Sequence, residues 1–252
     1  MAIETFKRRE QKYLITMEQY DALIKKISPY MRPDRFGEDG KYTVTSLYFE
    51  SKDREIYYET KNKLKYRQKL RLRVYDEADL DSTAFFEVKQ KHKKVVNKRR
   101  MLLPLSEAYR YISSVDEGFE AIETSNQQVL REIDYFRKLY NLKPEMIISY
   151  NRHALHHLED AALRMTFDFN LRCRNGDLHL ENGSYGDLFI DKNLVVLEVK
   201  VNDRVPLWLA RILQELNCEQ RSASKFCTSM EQLEKVNLPV GTTLENVGMG
   251  GM

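Results

Sequence analysis

The sequence is poor in the features that mark several common functional classes. It has only three cysteines, Cys173, Cys218 and Cys227, far apart and odd in number. That spacing suits neither a zinc site nor a disulfide framework, so they read as reduced thiols. No apolar run approaches the roughly 18 residues that a transmembrane helix needs. The opening MAIETFKRREQKY turns charged at once and shows no signal-peptide pattern, so the expected location is the cytoplasm. The ten glycines include no glycine-rich phosphate loop, which argues against a P-loop mechanism. The aromatic residues are dispersed, without the clustered platform of a single-strand nucleic-acid binder. The net charge is only +3, short of the broad basic excess of a nonspecific DNA binder. No nucleic-acid partner is expected.

What the chain does have is concentrated charge. The stretch from Lys61 to Arg100 holds 14 Lys/Arg against 5 Asp/Glu, so the remainder of the chain is net acidic. A local basic tract in a near-neutral protein suits a confined polyanion site. From Lys61 to Arg73 every second residue is basic, and in a strand alternate side chains share a face. Lys61, Lys63 and Lys65 flank Asn62 and Leu64 in a turn, where solvation accounts for them. Arg71 and Arg73 alternate with Leu70, Leu72 and Val74, the opposite, apolar face of a good strand. Arginine forks match phosphate oxygens, yet this stretch alone leaves a solvated edge and an anion site equally open.

The remaining pattern reads as strands scattered among helices. Strands are expected at Phe6–Leu14, Val44–Phe49, Gln68–Tyr75, Ala84–Gln90, Asn97–Leu103, Met146–His153, Leu163–Leu171 and Leu194–Val201. Thr16 starts a helix with Gln19 as its capping-box partner. Further helices are expected at Ser106–Val115, Asn126–Tyr140, from Pro206 through Leu216 and from Ser224 to Val236. Strands without regular βαβ alternation favour one α+β domain on an antiparallel sheet, spanning residues 1–240, with 241–252 as a mobile tail.

Several strands carry charges on one face only. Arg8, Glu10 and Lys12 share a face, as do Glu87, Lys89 and Lys91, then Lys98 and Arg100, Tyr150 and Arg152, and Arg164, Thr166 and Asp168. Taken singly, such pairs are ordinary solvated ion pairs worth about 0–1 kcal/mol. Glu198 and Lys200 differ, because they interrupt VVLEVKV, whose flanks are those of a buried strand. Buried charges must be paired or bind a ligand. A barrel that closes these faces inward would gather cations for phosphate oxygens and carboxylates for a hard divalent ion. At about 4 Å and an effective dielectric of about 20, each cation–phosphate contact has a Coulomb term of about 4 kcal/mol before desolvation. One phosphate cannot engage so many cations; a linear polyphosphate can.

These motifs, in this order, resemble the polyphosphate polymerase domain of the vacuolar transporter chaperone family, within the triphosphate tunnel metalloenzymes or CYTH-like proteins. The resemblance runs from about Phe6 to Val236 and implies an antiparallel eight-stranded β-barrel, a triphosphate tunnel with helices packed outside. It implies ATP and polyphosphate as substrates and a divalent metal, Mn²⁺ or Mg²⁺. RREQKY supplies Lys12, with Arg8 as a further phosphate contact, and KLRLRVY supplies Arg71 and Arg73. FFEVKQK supplies Lys89, NKRR supplies Lys98 and Arg100, and SYNRHAL supplies Tyr150 and Arg152. LRMTFDFNL supplies Arg164 and Asp168, and VVLEVKV supplies Glu198, the metal ligand, with Lys200; Glu10 is the second metal carboxylate. SASKF supplies Ser224 and Lys225 near a helix start, where backbone N–H groups favour anions.

Two departures sharpen the expectation. Triphosphatases of the superfamily open with Glu-x-Glu-x-Lys, but here Arg8 takes the first position, which weakens a second metal site and favours a polymerase. The eukaryotic relatives also carry a regulatory SPX domain and membrane helices, neither of which is expected here. The alternatives are a metal-dependent triphosphatase acting on inorganic triphosphate or a nucleotide, and a nonenzymatic polyphosphate-binding module. His153, His156 and His157 follow a strand end and read as surface or helix-start residues, since a bare histidine cluster seldom makes a metal site. Trp208 reads as core.

Overall fold

The computed structural model describes residues 9–93, 95–114, 122, 124–221 and 224–237, and the side chains of all but the last two. Arg8, the start of the first expected strand, residue 115 at the end of the expected 106–115 helix and the 241–252 tail lie outside the described residues.

Among the described residues ten strands form one antiparallel sheet. In chain order they are β1 (Arg9–Thr16), β2 (Met31–Pro33), β3 (Lys41–Glu50), β4 (Tyr66–Tyr75), β5 (Thr83–His92), β6 (Val95–Pro104), β7 (Lys143–His157), β8 (Arg164–Arg174), β9 (Asp187–Leu188) and β10 (Leu194–Val201). The helices are α1 (Met17–Ile27), α2 (Glu55–Lys61), α3 (Leu105–Ser113), α4 (Gln127–Leu139), α5 (Leu207–Glu215) and α6 (Lys225–Asn237). The main path has eight strands in the order β1-β10-β8-β7-β3-β4-β5-β6, with β2 paired to β7 and β9 to β8. The path leaves β1 and β6 as its ends. The sheet nevertheless curls far enough that Glu10 on β1 lies in the field of Lys89 on β5, and Lys91 in that of Glu10 and Lys12. The α+β class and the barrel-like antiparallel sheet therefore agree with the sequence reading.

Alternation decides which residues face out. Leu70, Leu72 and Val74 of β4 join Phe86 and Val88 of β5 and Met101 and Leu103 of β6 under α3 and α4, whose Leu105, Ala108, Leu130, Ile133 and Phe136 are buried in the same cluster. On the other wall, Ile15, Leu197, Val199, Met165 and Phe167 pack against Leu23 and Ile27 of α1 and Leu209 and Leu213 of α5. The capping box of α1 forms as expected, with Gln19 N–H donating to Thr16 Oγ1 at 3.1 Å and Thr16 N–H to Gln19 Oε1 at 2.9 Å.

Helix α6 is placed differently. Its Phe226 stacks on Tyr48 at 5.3 Å between ring centroids, and Ser229 Oγ lies 3.0 Å from Met146 Sδ. Tyr48 pairs in register with both Arg71 and Met146, so α6 packs on the inward face of the sheet. Its first turn thereby reaches the charged interior.

Two local features escaped the sequence reading. Helix α2 precedes the basic stripe, so Lys61 ends a helix, Lys63 sits at φ 52° in the connection, and strand alternation begins only at Arg67. Buried Glu50 anchors that helix: its carboxylate accepts from the backbone N–H groups of Ser51 (2.8 Å), Ile56 (3.0 Å) and Tyr57 (2.8 Å). Orphaning such buried donors costs about 1–3 kcal/mol. Glu50→Ala is expected to lower unfolding free energy by about 2–4 kcal/mol in urea titration, by that same penalty applied to more than one donor; a loss under about 1 kcal/mol would remove the capping role. The histidines are also corrected. All three lie within β7, not after a strand end. His153 is buried, with Nδ1 2.9 Å from Tyr20 Oη, and His156 Nε2 is 3.4 Å from Asp34 Oδ2. The strand runs on because β2 pairs with its last residues.

Candidate active site

Strand register lines the charged residues up in rows across the inward face. Lys12 opposes Glu198, which opposes Thr166. Glu10 opposes Lys200, which opposes Arg164. Asp168 opposes Arg152. Across the lumen Arg71 opposes Glu87, which opposes Arg100, and Lys69 opposes Lys89, which opposes Lys98. Directly opposed residues share a face, so these side chains converge on one space.

Two acid-centred clusters result. Around Glu198, Lys12 Nζ lies at 3.0 Å, Lys225 Nζ at 3.1 Å and Lys200 Nζ at 3.5 Å. Lys12 also meets Glu10 at 3.3 Å. Lys225 bridges to Asp168 at 2.6 Å, and Arg152 forks onto the same carboxylate at 2.7 and 2.9 Å. The second cluster centres on Glu87, which is 1% exposed. It accepts from Arg71 Nε at 2.7 Å and pairs with Lys98. Arg71 also donates to Tyr48 Oη at 3.1 Å. Arg73 donates to Ser46 Oγ at 3.0 Å and, with Arg152, to Tyr150 Oη at 3.4 Å.

The electrostatics follow from this crowding. Burial opposes the charged form of Glu198, but Lys225, Lys12 and Lys200 overcome it and hold the carboxyl well below the usual range. Asp168 is likewise lowered against its burial by Arg152 and Lys225. Glu87, against its burial, is drawn to about 2 by Arg71, Arg73 and Lys98. Burial lowers Lys69 to about 8, and it lowers Lys98 to about 8 despite Glu87. The Tyr48 phenol falls to about 8 because Arg71 and Arg73 outweigh its burial.

Most expected site residues are brought together: Lys12, Arg71, Arg73, Lys89, Lys98, Arg152, Lys225, Tyr150, Lys200, Glu198 and Glu10 all line this face. Ser224 caps α6, with its Oγ accepting from Cys227 N–H at 3.3 Å, and also accepts from Lys69 Nζ at 3.1 Å. Arg164 stands toward the side, donating to Asp34 at 2.7 Å and Tyr42 Oη at 3.1 Å. Arg100 lies over the Phe85 ring at 5.2 Å. Sequence reasoning missed Lys69 and Tyr48 as members of the site, although Lys69 stood in the alternating stripe. It also missed Asp34 and Tyr42, which only the β2 and β3 packing brings to Arg164.

The arrangement has unmet capacity for an anion. Nine bases, Lys12, Lys69, Arg71, Arg73, Lys89, Lys98, Arg152, Lys200 and Lys225, face four carboxylates, Glu10, Glu87, Asp168 and Glu198. Thr166 Oγ1 and Arg164 Nε, on the same face, are buried without a hydrogen-bond partner. Among the described residues no three His, Cys, Asp or Glu side chains gather as a metal cage. Glu10 and Glu198 share Lys12 and Lys200 instead. Two carboxylates suit a hard divalent cation that completes its shell with water and substrate phosphate oxygens.

Among the described residues no helix is long and apolar enough to cross a membrane. A family model, the VTC domain, matches residues 7–234. No curated protein sequence matches. Among solved structures, HpAC1 from Hippeastrum, reported with a dominant triphosphatase activity, aligns with a TM-score of 0.53 and 13% identity over 88% of this chain and 95% of that one. The PH1819 protein from Pyrococcus horikoshii OT3 aligns at 0.46 and 12% identity over 89% of this chain and 99% of that one. At 13% identity the first is a likeness of fold, and the second is too weak to add to it.

Proposed function

The chain belongs to the VTC domain family, and from that premise we propose that it is an ATP-dependent polyphosphate polymerase. The observation that carries this reading is the surplus of cations on one inward face, with Lys12, Lys69, Arg71, Arg73, Arg152, Lys200 and Lys225 buried or half-buried and Lys89 and Lys98 exposed. It exceeds what a single phosphate can neutralise and suits a chain of them. A phosphate oxygen at the end of the acceptor polymer attacks the γ-phosphorus of ATP, the bond from that phosphorus to the β,γ-bridging oxygen breaks, and ADP leaves. The polymer is one phosphate longer.

The site's own chemistry suits transfer to phosphate better than hydrolysis. A terminal phosphate is already ionised, so no base has to remove its proton. Water needs orientation and a proton acceptor, and the carboxylates here are depressed and held by lysines. Phosphoryl transfer depends mainly on positioning and on charge neutralisation. Arg71 and Arg73 offer forks for phosphate oxygens, and Asp168 fixes the orientation of Arg152. Lys12, Lys200 and Lys225 exchange their carboxylate contacts for phosphate as the polymer enters. Glu198 and Glu10 would hold the divalent metal, which neutralises phosphate charge when bound.

Incubation of the protein with ATP and Mn²⁺ tests the reading. A ladder of long anionic polymer with ADP formed alongside is expected. Free phosphate without polymer would identify a triphosphatase, and tight polyphosphate binding without turnover would identify a binding module.

The lowered lysines give a second test. Lys69 and Lys98 are cationic below about pH 8 and neutral above it, while Tyr48 gains a negative charge over the same range. Both changes disfavour an anion. Tripolyphosphate affinity is therefore expected to fall about tenfold or more between pH 7 and 9.5, since about 1.4 kcal/mol is tenfold. Calorimetry in buffers of different ionisation enthalpy should show proton uptake on binding near pH 8. A flat profile would remove these groups from the site.

A further inference from the structure

We propose that the nucleotide's base stacks on an aromatic rim at the end of strands β4 and β5, next to the arginines of the site. This deepens the reading of the chain as an ATP-using enzyme and rests on it. Arg73 opposes Phe85 in register, and Phe85 opposes Leu102. Alternation puts Tyr75 on the same inward face, one step beyond Arg73. Tyr75 and Phe85 meet edge to face at 5.3 Å, and Tyr42 meets Tyr75 at 5.8 Å. Arg73 lies 5.9 Å from the Tyr75 ring, and Arg100 lies 5.2 Å from Phe85.

The position and the company of these rings select the occupant. The inward face is charged along β4 and β5 until this rim, where β4 ends and β5 begins. Tyr75 and Phe85 are half-buried there, and Leu102 is 37% exposed. A polyphosphate has no apolar surface to cover them, whereas a nucleobase does. The connection beyond the rim reads DEADLDS, with Asp76, Glu77, Asp79 and Asp81 and no base. That loop repels a phosphate chain and tolerates an uncharged nucleoside. Tyr75 lies four positions after Arg71, about 13 Å at the rise of a strand, which leaves room for a ribose between bound phosphates and the rings. Aromatic faces and arginine planes are the surfaces on which bases stack.

The test compares ATP with tripolyphosphate, which lacks the nucleoside. In the double variant Tyr75→Leu, Phe85→Leu, the Kd for ATP is expected to rise tenfold or more. The Kd for tripolyphosphate should stay within about twofold of wild type, the spread expected of substitutions outside a contact, and near-UV circular dichroism should keep its tertiary signal. Single variants Tyr75→Phe and Phe85→Tyr, which keep the ring, should bind ATP like wild type. Equal losses for ATP and tripolyphosphate would make the rings structural, and no loss for ATP would place the base elsewhere; either overturns the proposal. Wild-type protein that binds neither ligand would instead remove the phosphate site on which the functional reading stands.

Discussion

Lys225→Ala is expected to lower the rate of phosphoryl transfer by about 10²–10³, the range seen when one preorganised donor to a transition state is removed. The side chain is 10% exposed and, among the described residues, is the one cation that joins Asp168 at 2.6 Å to Glu198 at 3.1 Å. The two carboxylates hold its pKa above the ordinary lysine value against the cost of burial. It therefore stays charged across the whole working range and can pass to a phosphate without a change of protonation. Removing it leaves Asp168 with the Arg152 fork and Glu198 with Lys12 and Lys200. The fold should persist at a cost near the lower end of the about 3–5 kcal/mol for breaking a buried pair. Single-turnover kinetics with labelled ATP, beside a urea titration, separates the two effects. A variant within fivefold of the wild-type rate would take Lys225 out of the reaction.

Glu198→Gln should produce opposite effects on binding and on rate. The carboxylate is 7% exposed and pairs with three lysines. As an amide it no longer competes with an incoming anion for them. Metal-free affinity for tripolyphosphate is expected to rise about tenfold, equivalent to about 1.4 kcal/mol. The metal-dependent rate should fall by about 10² or more, because a carboxylate oxygen for the divalent ion is lost. Titration in EDTA and turnover in Mn²⁺ read the two separately. An unchanged metal-dependent rate would leave Glu198 a structural counter-ion only. Reduced affinity in EDTA would mean that the lysines need Glu198 to be held in place.

The two substitutions depend on different parts of the fold. Glu198 sits on a central strand, fixed between β1 and β8. Lys225 sits at the start of a helix that reaches the same point from a different direction. A site assembled this way keeps like charges close together, and the stability of the sheet behind it carries the cost. Leu70, Leu72, Phe86 and Leu197 are fully buried on the outward side of the very strands whose inward side carries Arg71, Glu87 and Glu198.

That division of faces was written in the residue order. Alternation in KLRLRVY, EVKQK and LEVKV reads as strand, and a strand with one apolar side must turn the other toward water or a ligand. The start of α1 was equally legible, because Thr16 and Gln19 satisfy each other's backbone within four residues. Such features are local, and local chemistry suffices to fix them. Which charges meet is settled by long-range packing. Lys69 becomes a site residue because α6 brings Ser224 and Phe226 beneath it. Arg164 turns to Asp34 and Tyr42 because β2 pairs with the end of β7 and β3 runs beside it. Tyr48 acquires its low pKa from arginines more than twenty residues away. Many pairings satisfy the same list of lysines and carboxylates, and alternation is silent about them. Strand register and the seating of α6 select one, since a shift by one residue would turn every charge to the wrong side of the sheet.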